Sequence, residues 1–223
     1  LANPQAGTFH LATHAFFKAL LFLSAGSVIH TLHTQDIWRM SGLLKAMPVT
    51  GWTFGVGTLA LVGIFPLSGF WSKEEILMTA YLTSPFAFIL LLLTTFLTAA
   101  YMGRLFGVAF LGEVEKKNIK DPGWEMKVPL LILAFLSLTA GFFPLKEFVP
   151  LPHGHSFHGP FFVTLLGLAA GTVGFLLSVY LYAVKRDLLA QMAPVLDPPR
   201  RLLEKKYYID EIYTLVFVRP MQL

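Results

Sequence analysis

Two clusters of ionisable residues in this 223-residue chain stand inside long apolar runs, where a proton could be held and passed on. His10, His14 and Lys18 follow at intervals of four, which on a helix puts all three on one face. Lys18 lies about midway along the apolar run 8–33, too deep for its side chain to reach water easily at either end. A charged lysine at the bilayer centre costs about 2.5–3.5 kcal/mol on insertion scales, so such a residue is retained where protein or water surrounds it. Amines withdrawn from water hold their protons less firmly, and histidine already titrates near neutrality. The row therefore has the composition of a proton relay. A static ion pair at Lys18, with His10 at the interface, is the structural alternative.

The second cluster is Ser72-Lys73-Glu74-Glu75, inside the short apolar run 67–83. Just ahead of it stands Phe65-Pro66-Leu67-Ser68-Gly69, and Pro66 with Gly69 predicts a helix break there. A broken helix exposes backbone groups that must be satisfied by protein or water at membrane depth, the usual construction of ion sites in transporters. The alternative places Lys73–Glu75 in a surface turn, which the apolar sequence on both sides argues against. A weaker third site is Thr94, Thr98 and Tyr101, aligned along one helix face and able to line a hydrated path, with Arg104 beyond them towards the helix end. His30 and His33 read as interfacial, with His30 able to join an exit path. The run His153-Gly-His155-Ser-Phe-His158 lacks any carboxylate or cysteine beside it and reads as a polar loop rather than a metal site.

These residues need a scaffold of membrane helices. The chain is 55% hydrophobic and only 13% charged, against about 25% charged in soluble domains. Six segments approach the roughly 20 apolar residues of a span: 8–33, 49–65, 67–83, 85–111, 129–144 and 160–184. The second, third and fifth are short. Most boundaries fall at proline, which fits a helix start. Gly51 with Gly55, and Gly167 with Gly171, are small-residue pairs that let helices approach closely. The expected fold is an all-α polytopic membrane bundle of about six transmembrane helices, one of them broken.

If the helices alternate, Arg39, Lys45 and Lys146 fall on one side. Lys116, Lys117, Lys120, Lys127, Lys185, Arg186, Arg200, Arg201, Lys205 and Lys206 fall on the other. That imbalance puts the loop 112–128 and the tail after residue 184 in the cytoplasm. The net charge of +4 thus reads as membrane topology, not nucleic-acid binding. There is no cysteine, so no disulfide and no cysteine-ligated metal or iron–sulfur site. A phosphate loop, a dinucleotide fingerprint and a nucleophile elbow are all absent, so no catalytic, cofactor-binding or metal residue is assigned. The chain begins without methionine and close to an apolar run, as expected of a fragment. The tail 188–199 reads as a linker, and 200–218 as an interfacial segment or the start of another span.

His10-Leu-Ala-Thr-His14-Ala-Phe-Phe-Lys18-Ala-Leu-Leu-Phe resembles a central segment of the antiporter-like subunits of respiratory complex I, the proton-pumping NADH:quinone oxidoreductase. Gly26-Ser-Val-Ile-His30, Gln35-Asp-Ile through Gly42-Leu, Gly69-Phe-Trp-Ser-Lys73-Glu74-Glu75-Ile-Leu and Tyr207-Tyr-Ile-Asp210-Glu211-Ile-Tyr213 continue the likeness in order, and point to the family's L branch, equivalent to mitochondrial chain 5. The resemblance implies two inverted five-helix repeats, each with a broken helix that carries an ionisable residue. It makes residues 1–111 most of the second repeat, 112–184 a loop with two further helices, and 185–223 a linker with the start of an amphipathic segment. It places the first helix as the family's tenth and 67–83 as its broken twelfth.

Lys18 then matches the central lysine of a hydrated axis, Lys73 the lysine near the proton exit, Glu74 the neighbouring acidic position, and His10 and His14 the axial histidines. Partners implied are protons, the lipid bilayer and the other membrane-arm subunits. NADH, FMN, iron–sulfur clusters and quinone would belong to those other subunits, and the location would be a bacterial inner membrane. The nearest alternatives are the large subunit of a multisubunit cation/proton antiporter, which shares the fold and the lysines, and a non-transporting scaffold subunit.

Overall fold

The computed structural model describes residues 3–113, 119–143, 160–188, 191 and 201–221. Lys116, Lys117, Pro144, Lys146, His153, His155, His158 and Arg200 lie outside them. Residues 1–184 form one compact unit and 185–223 a second.

All six expected segments are helical. In chain order they are α1 (Pro4–Leu32), the short α2 (Leu43–Ala46), α3 (Pro48–Val62), α4 (Ser68–Thr83), α5 (Pro85–Ala109), α6 (Trp124–Thr139) and α7 (Phe161–Val179). Local chemistry sets their ends. Asn3 accepts from the Ala6 N–H at 3.0 Å ahead of Pro4. Ser84 does the same for Ala87 ahead of Pro85. Proline in the first turn forfeits no helix bond. The start of α6 differs from expectation. It begins at Trp124, and Pro129 lies inside it. The carbonyl that Pro129 leaves unpaired is that of Glu125, an exposed residue in the first turn, where water can satisfy it.

Among the described residues, four helical stretches are long and apolar enough to cross a membrane: Pro4–Leu32, Pro85–Ala109, Trp124–Phe142 and Phe161–Val184. The outward side chains include Leu11, Phe22, Phe86, Leu97 and Phe161, the surface of a bundle that faces lipid. By contrast α3 and α4, at 15 and 16 residues, each reach only about 22–24 Å, short of a hydrocarbon core of about 30 Å.

The two short helices complete each other. Gly57 of α3 packs at the level of Leu20 and Leu21 on α1, Gly69 of α4 at Phe17, and Ser72 at Thr13 and His10. Along α5, Phe54 stacks on Phe110 at one end, and Tyr81 meets Phe88 at the other. The chain therefore continues in one direction through α3 and α4, antiparallel to α1 and α5. The expected broken span exists, and it comprises both short segments.

This corrects the alternation assumed from the sequence. With α3 and α4 sharing one traverse, α1, α5 and α7 run the same way. Arg39 and Lys45 then lie at the same end of the bundle as Lys120. Backbone bonds from Gly42 to Leu111 and from Leu44 to Phe110, both 3.0 Å, fix that end. It also means that α1 directly precedes the broken span, so the assignment of these two as tenth and twelfth helices of the family does not hold.

The core lies where α1, α3 and α5 meet, around Phe17, Leu43, Met47, Phe54, Met102 and Phe110. A second cluster joins α4, α5 and α7 through Leu77, Met78, Phe88 and Val163. In the second unit, short helical turns cover Lys206–Tyr208, Ile209–Tyr213, Thr214–Val218 and Arg219–Met221, and Lys206 pairs with Asp210 at 2.8 Å on an exposed face.

Candidate functional site

The site is built around the break between α3 and α4. α3 ends at Gly63, whose backbone turns left-handed at φ +89°, a conformation glycine adopts without penalty. The chain then passes Ile64, Phe65, a cis Pro66 and Leu67 before α4 begins. Helix ends leave carbonyls without partners, and at membrane depth each must find one. The Pro66 carbonyl accepts from the indole N–H of Trp71 at 3.0 Å. The Leu61 carbonyl, in the last turn of α3, accepts from the ammonium group of Lys73. The C-terminus of a helix carries partial negative charge, so a lysine there is stabilised by the helix end itself, with no carboxylate needed.

Pro66 thus lies in the break as expected. Gly69 lies just inside α4 and does something different. A methyl group on it would come within 1.8 Å of the Ala60 carbonyl oxygen, so only glycine lets α4 cross so close to the end of α3.

Lys73 lines two cavities. The larger, of about 370 Å³, brings together His10, His14 and Lys18 from α1, Lys73, Ile76 and Leu77 from α4, and Leu91, Thr94, Thr95, Thr98 and Tyr101 from α5. Seven residues singled out in the sequence, His10, His14, Lys18, Lys73, Thr94, Thr98 and Tyr101, therefore face one space. The hydroxyls of Thr94 and Thr95 donate to the carbonyls of Leu90 and Leu91, at 2.7 and 2.9 Å. Their lone pairs remain to accept from water or a protonated group. The imidazoles of His10 and His14 are 5.8 Å apart, centroid to centroid, and His14 meets Phe17 edge-on at 5.2 Å. Lys18 is half-buried, with its ammonium 5.8 Å from the ring of Phe22.

The smaller cavity, of about 20 Å³, holds roughly one water molecule and lies on the other side of Lys73, against α7. Glu74 and Thr164 line it, and the Thr164 hydroxyl donates to Glu74 Oε1 at 2.5 Å. His30 is not at either cavity. It is exposed in the last turn of α1, 6.4 Å from His33.

Three participants have no role predicted from the sequence. The fully buried Thr13 and Ser72 share a 2.9 Å hydrogen bond, and Ser72 Oγ is also 2.9 Å from His10 Nδ1, which ties the imidazole to α4. Both sit inside the quoted motifs, but small hydroxyls give no charge signal. Thr164 is the third. Its only mark in the sequence is an isolated hydroxyl in the apolar stretch that opens α7.

The arrangement holds cations and hydrogen-bond acceptors around water-sized space, with one acid beyond. Among the described residues no three His, Asp or Glu side chains come together as a metal site requires.

Comparison with known proteins follows the same lines. Residues 2–98 match the family described as NADH:quinone oxidoreductase/Mrp antiporter, transmembrane region. NADH-quinone oxidoreductase subunit L of Rickettsia bellii is 38% identical over 97% of the chain, which spans 37% of that protein. The chloroplastic NAD(P)H-quinone oxidoreductase subunit 5 of Mesostigma viride is 36% identical over 98% of the chain, which spans 38% of it. The chain thus covers less than two-fifths of these relatives. Among solved structures, the Mrp complex of a Dietzia species shares the fold, with a TM-score of 0.56 and 22% identity over 81% of this chain and 39% of that one.

Proposed function

Because this chain belongs to the antiporter-like family shared by NADH:quinone oxidoreductases and Mrp antiporters, we propose that it forms part of a proton-translocating subunit in the membrane arm of an NADH:quinone oxidoreductase, with Lys73 as the junction of the proton route. One observation carries the proposal. Lys73 borders both cavities, while its ammonium is held by the backbone carbonyl that the helix break exposes.

On this reading, protons in the larger cavity move among water, His10, His14 and Lys18 and reach Lys73. Lys73 leaves Leu61 when it yields its proton towards the Glu74 side. Moving one charge through 100 mV costs about 2.3 kcal/mol, so a change of partner worth a few kcal/mol is enough to gate the step. Quinone reduction elsewhere in the complex supplies the drive, and NADH, FMN, iron–sulfur clusters and quinone are held by other subunits. All the basic residues described in the connectors, Arg39, Lys45 and Lys120 among them, lie at one end of the compact unit. By the positive-inside rule that end is cytoplasmic in a bacterial inner membrane.

The test is Lys18→Ala and Lys73→Ala in the full-length protein within its assembled complex, reconstituted in vesicles. The expected result is a sharp fall in protons moved per NADH oxidised, with assembly retained. Unchanged pumping would leave the residues as static pairs in a scaffold. The shared Mrp fold keeps one second reading, a cation/proton antiporter subunit, and copurification with rotenone-sensitive NADH oxidation decides against it.

A further inference from the structure

Arg104 stands apart from the proton route. It is exposed on α5, near the bundle end that carries Arg39 and Lys45, with its guanidinium carbon 5.5 Å from the ring centroids of both Trp38 and Tyr182. Among the described residues no carboxylate pairs with it. Aromatic rings attract the guanidinium electrostatically, and among the described residues no hydrogen bond takes up its N–H donors. Those donors form a planar fork that matches two oxygens of one phosphate.

The surroundings say which phosphate. Leu97, Leu93 and Leu90 continue the helix stripe that Arg104 heads, at intervals of seven, eleven and fourteen residues, and all three are exposed. An acyl chain fits against such a stripe, while a soluble phosphate has no use for it. Trp and Tyr concentrate at headgroup depth, where one side of the ring is wet and the other apolar. We infer that Arg104, framed by Trp38 and Tyr182, binds the phosphate of an anionic phospholipid whose acyl chain lies along Leu97, Leu93 and Leu90. The site is separate from the lysine–histidine cavity, so it stands or falls independently of the proton route.

The experiment uses the full-length protein in its assembled complex. The probes are phosphatidylglycerol and phosphatidylcholine, each with a photoreactive diazirine in the upper acyl chain, followed by peptide mapping of α5. The expected result is crosslinking to residues 90–104 at least tenfold higher with phosphatidylglycerol than with phosphatidylcholine. Arg104→Gln should abolish that preference, and Arg104→Lys, which keeps charge but not the fork, should retain part of it. Four outcomes would overturn the inference: equal labelling by the two lipids, undiminished preference in Arg104→Gln, full displacement by millimolar inorganic phosphate, or crosslinks from this stripe only to another polypeptide. The Lys variant, with normal assembly and NADH oxidation, separates lost binding from lost folding.

Discussion

The ammonium group of Lys73 donates to the backbone carbonyl of Leu61, so a side chain of α4 closes the open end of α3. One contact thereby joins the two halves of a broken traverse and places a titratable group where that traverse is interrupted. Several consequences can be measured.

Gly69 governs how closely the halves approach. Ala at this position would drive a methyl group into the Ala60 carbonyl. Backbone, unlike a flexible side chain, cannot swing away. Overpacking of this kind costs about 1–3 kcal/mol, occasionally more. Gly69→Ala should lower the melting temperature of the full-length protein in nanodiscs and displace Lys73 from Leu61. A melting temperature equal to that of the native protein would show that the crossing has slack.

Thr164 positions Glu74. Thr164→Val keeps the shape and removes the donor, leaving a partly buried carboxylate oxygen without its partner, at a cost of about 1–3 kcal/mol. Protons moved per NADH should fall several-fold, and Thr164→Ser should restore most of the loss. A purely structural role would lower stability while leaving that ratio unchanged in whatever complex assembles.

Asp121 holds the other end of α3. Its two carboxylate oxygens accept from the N–H groups of Val49 and Thr50 at 2.9 and 3.0 Å, a capping role that the actual N-cap residue, Met47, cannot fill. Asp121→Ala should destabilise by about 0.5–2 kcal/mol, with faster amide exchange at Val49 and Thr50 as the local signature. Exchange unchanged at those two amides would place the cap elsewhere.

Much of this was legible in the residues. The four-residue spacing of His10, His14 and Lys18 fixed a shared face. Pro66 marked the break, because with Gly69 close behind it a proline between two apolar segments interrupts backbone bonding beyond the first turn of a helix. The direction of the chain after the break was not legible. Segments 49–65 and 67–83 look like two short spans when counted separately, and only their packing against α1 and α5 shows one traverse. That is why Arg39 and Lys45 were placed at the wrong end. Gly69 was legible as a special position but not for its reason, since close approach to Ala60 is a tertiary fact. Backbone groups such as the Leu61 carbonyl carry no sequence signal, and neither does a lone threonine like Thr164.

The role of Lys73 is tested most directly by proton pumping in vesicles with the full complex carrying Lys73→Arg, beside Lys73→Met. Arginine can still cap the Leu61 carbonyl but does not give up its proton. The expected result is that the Arg complex assembles and melts like the native one, the Met complex is less stable, and neither moves protons at more than a small fraction of the native ratio per NADH. A Lys73→Arg complex that pumps at the native ratio would contradict a proton passing through this residue.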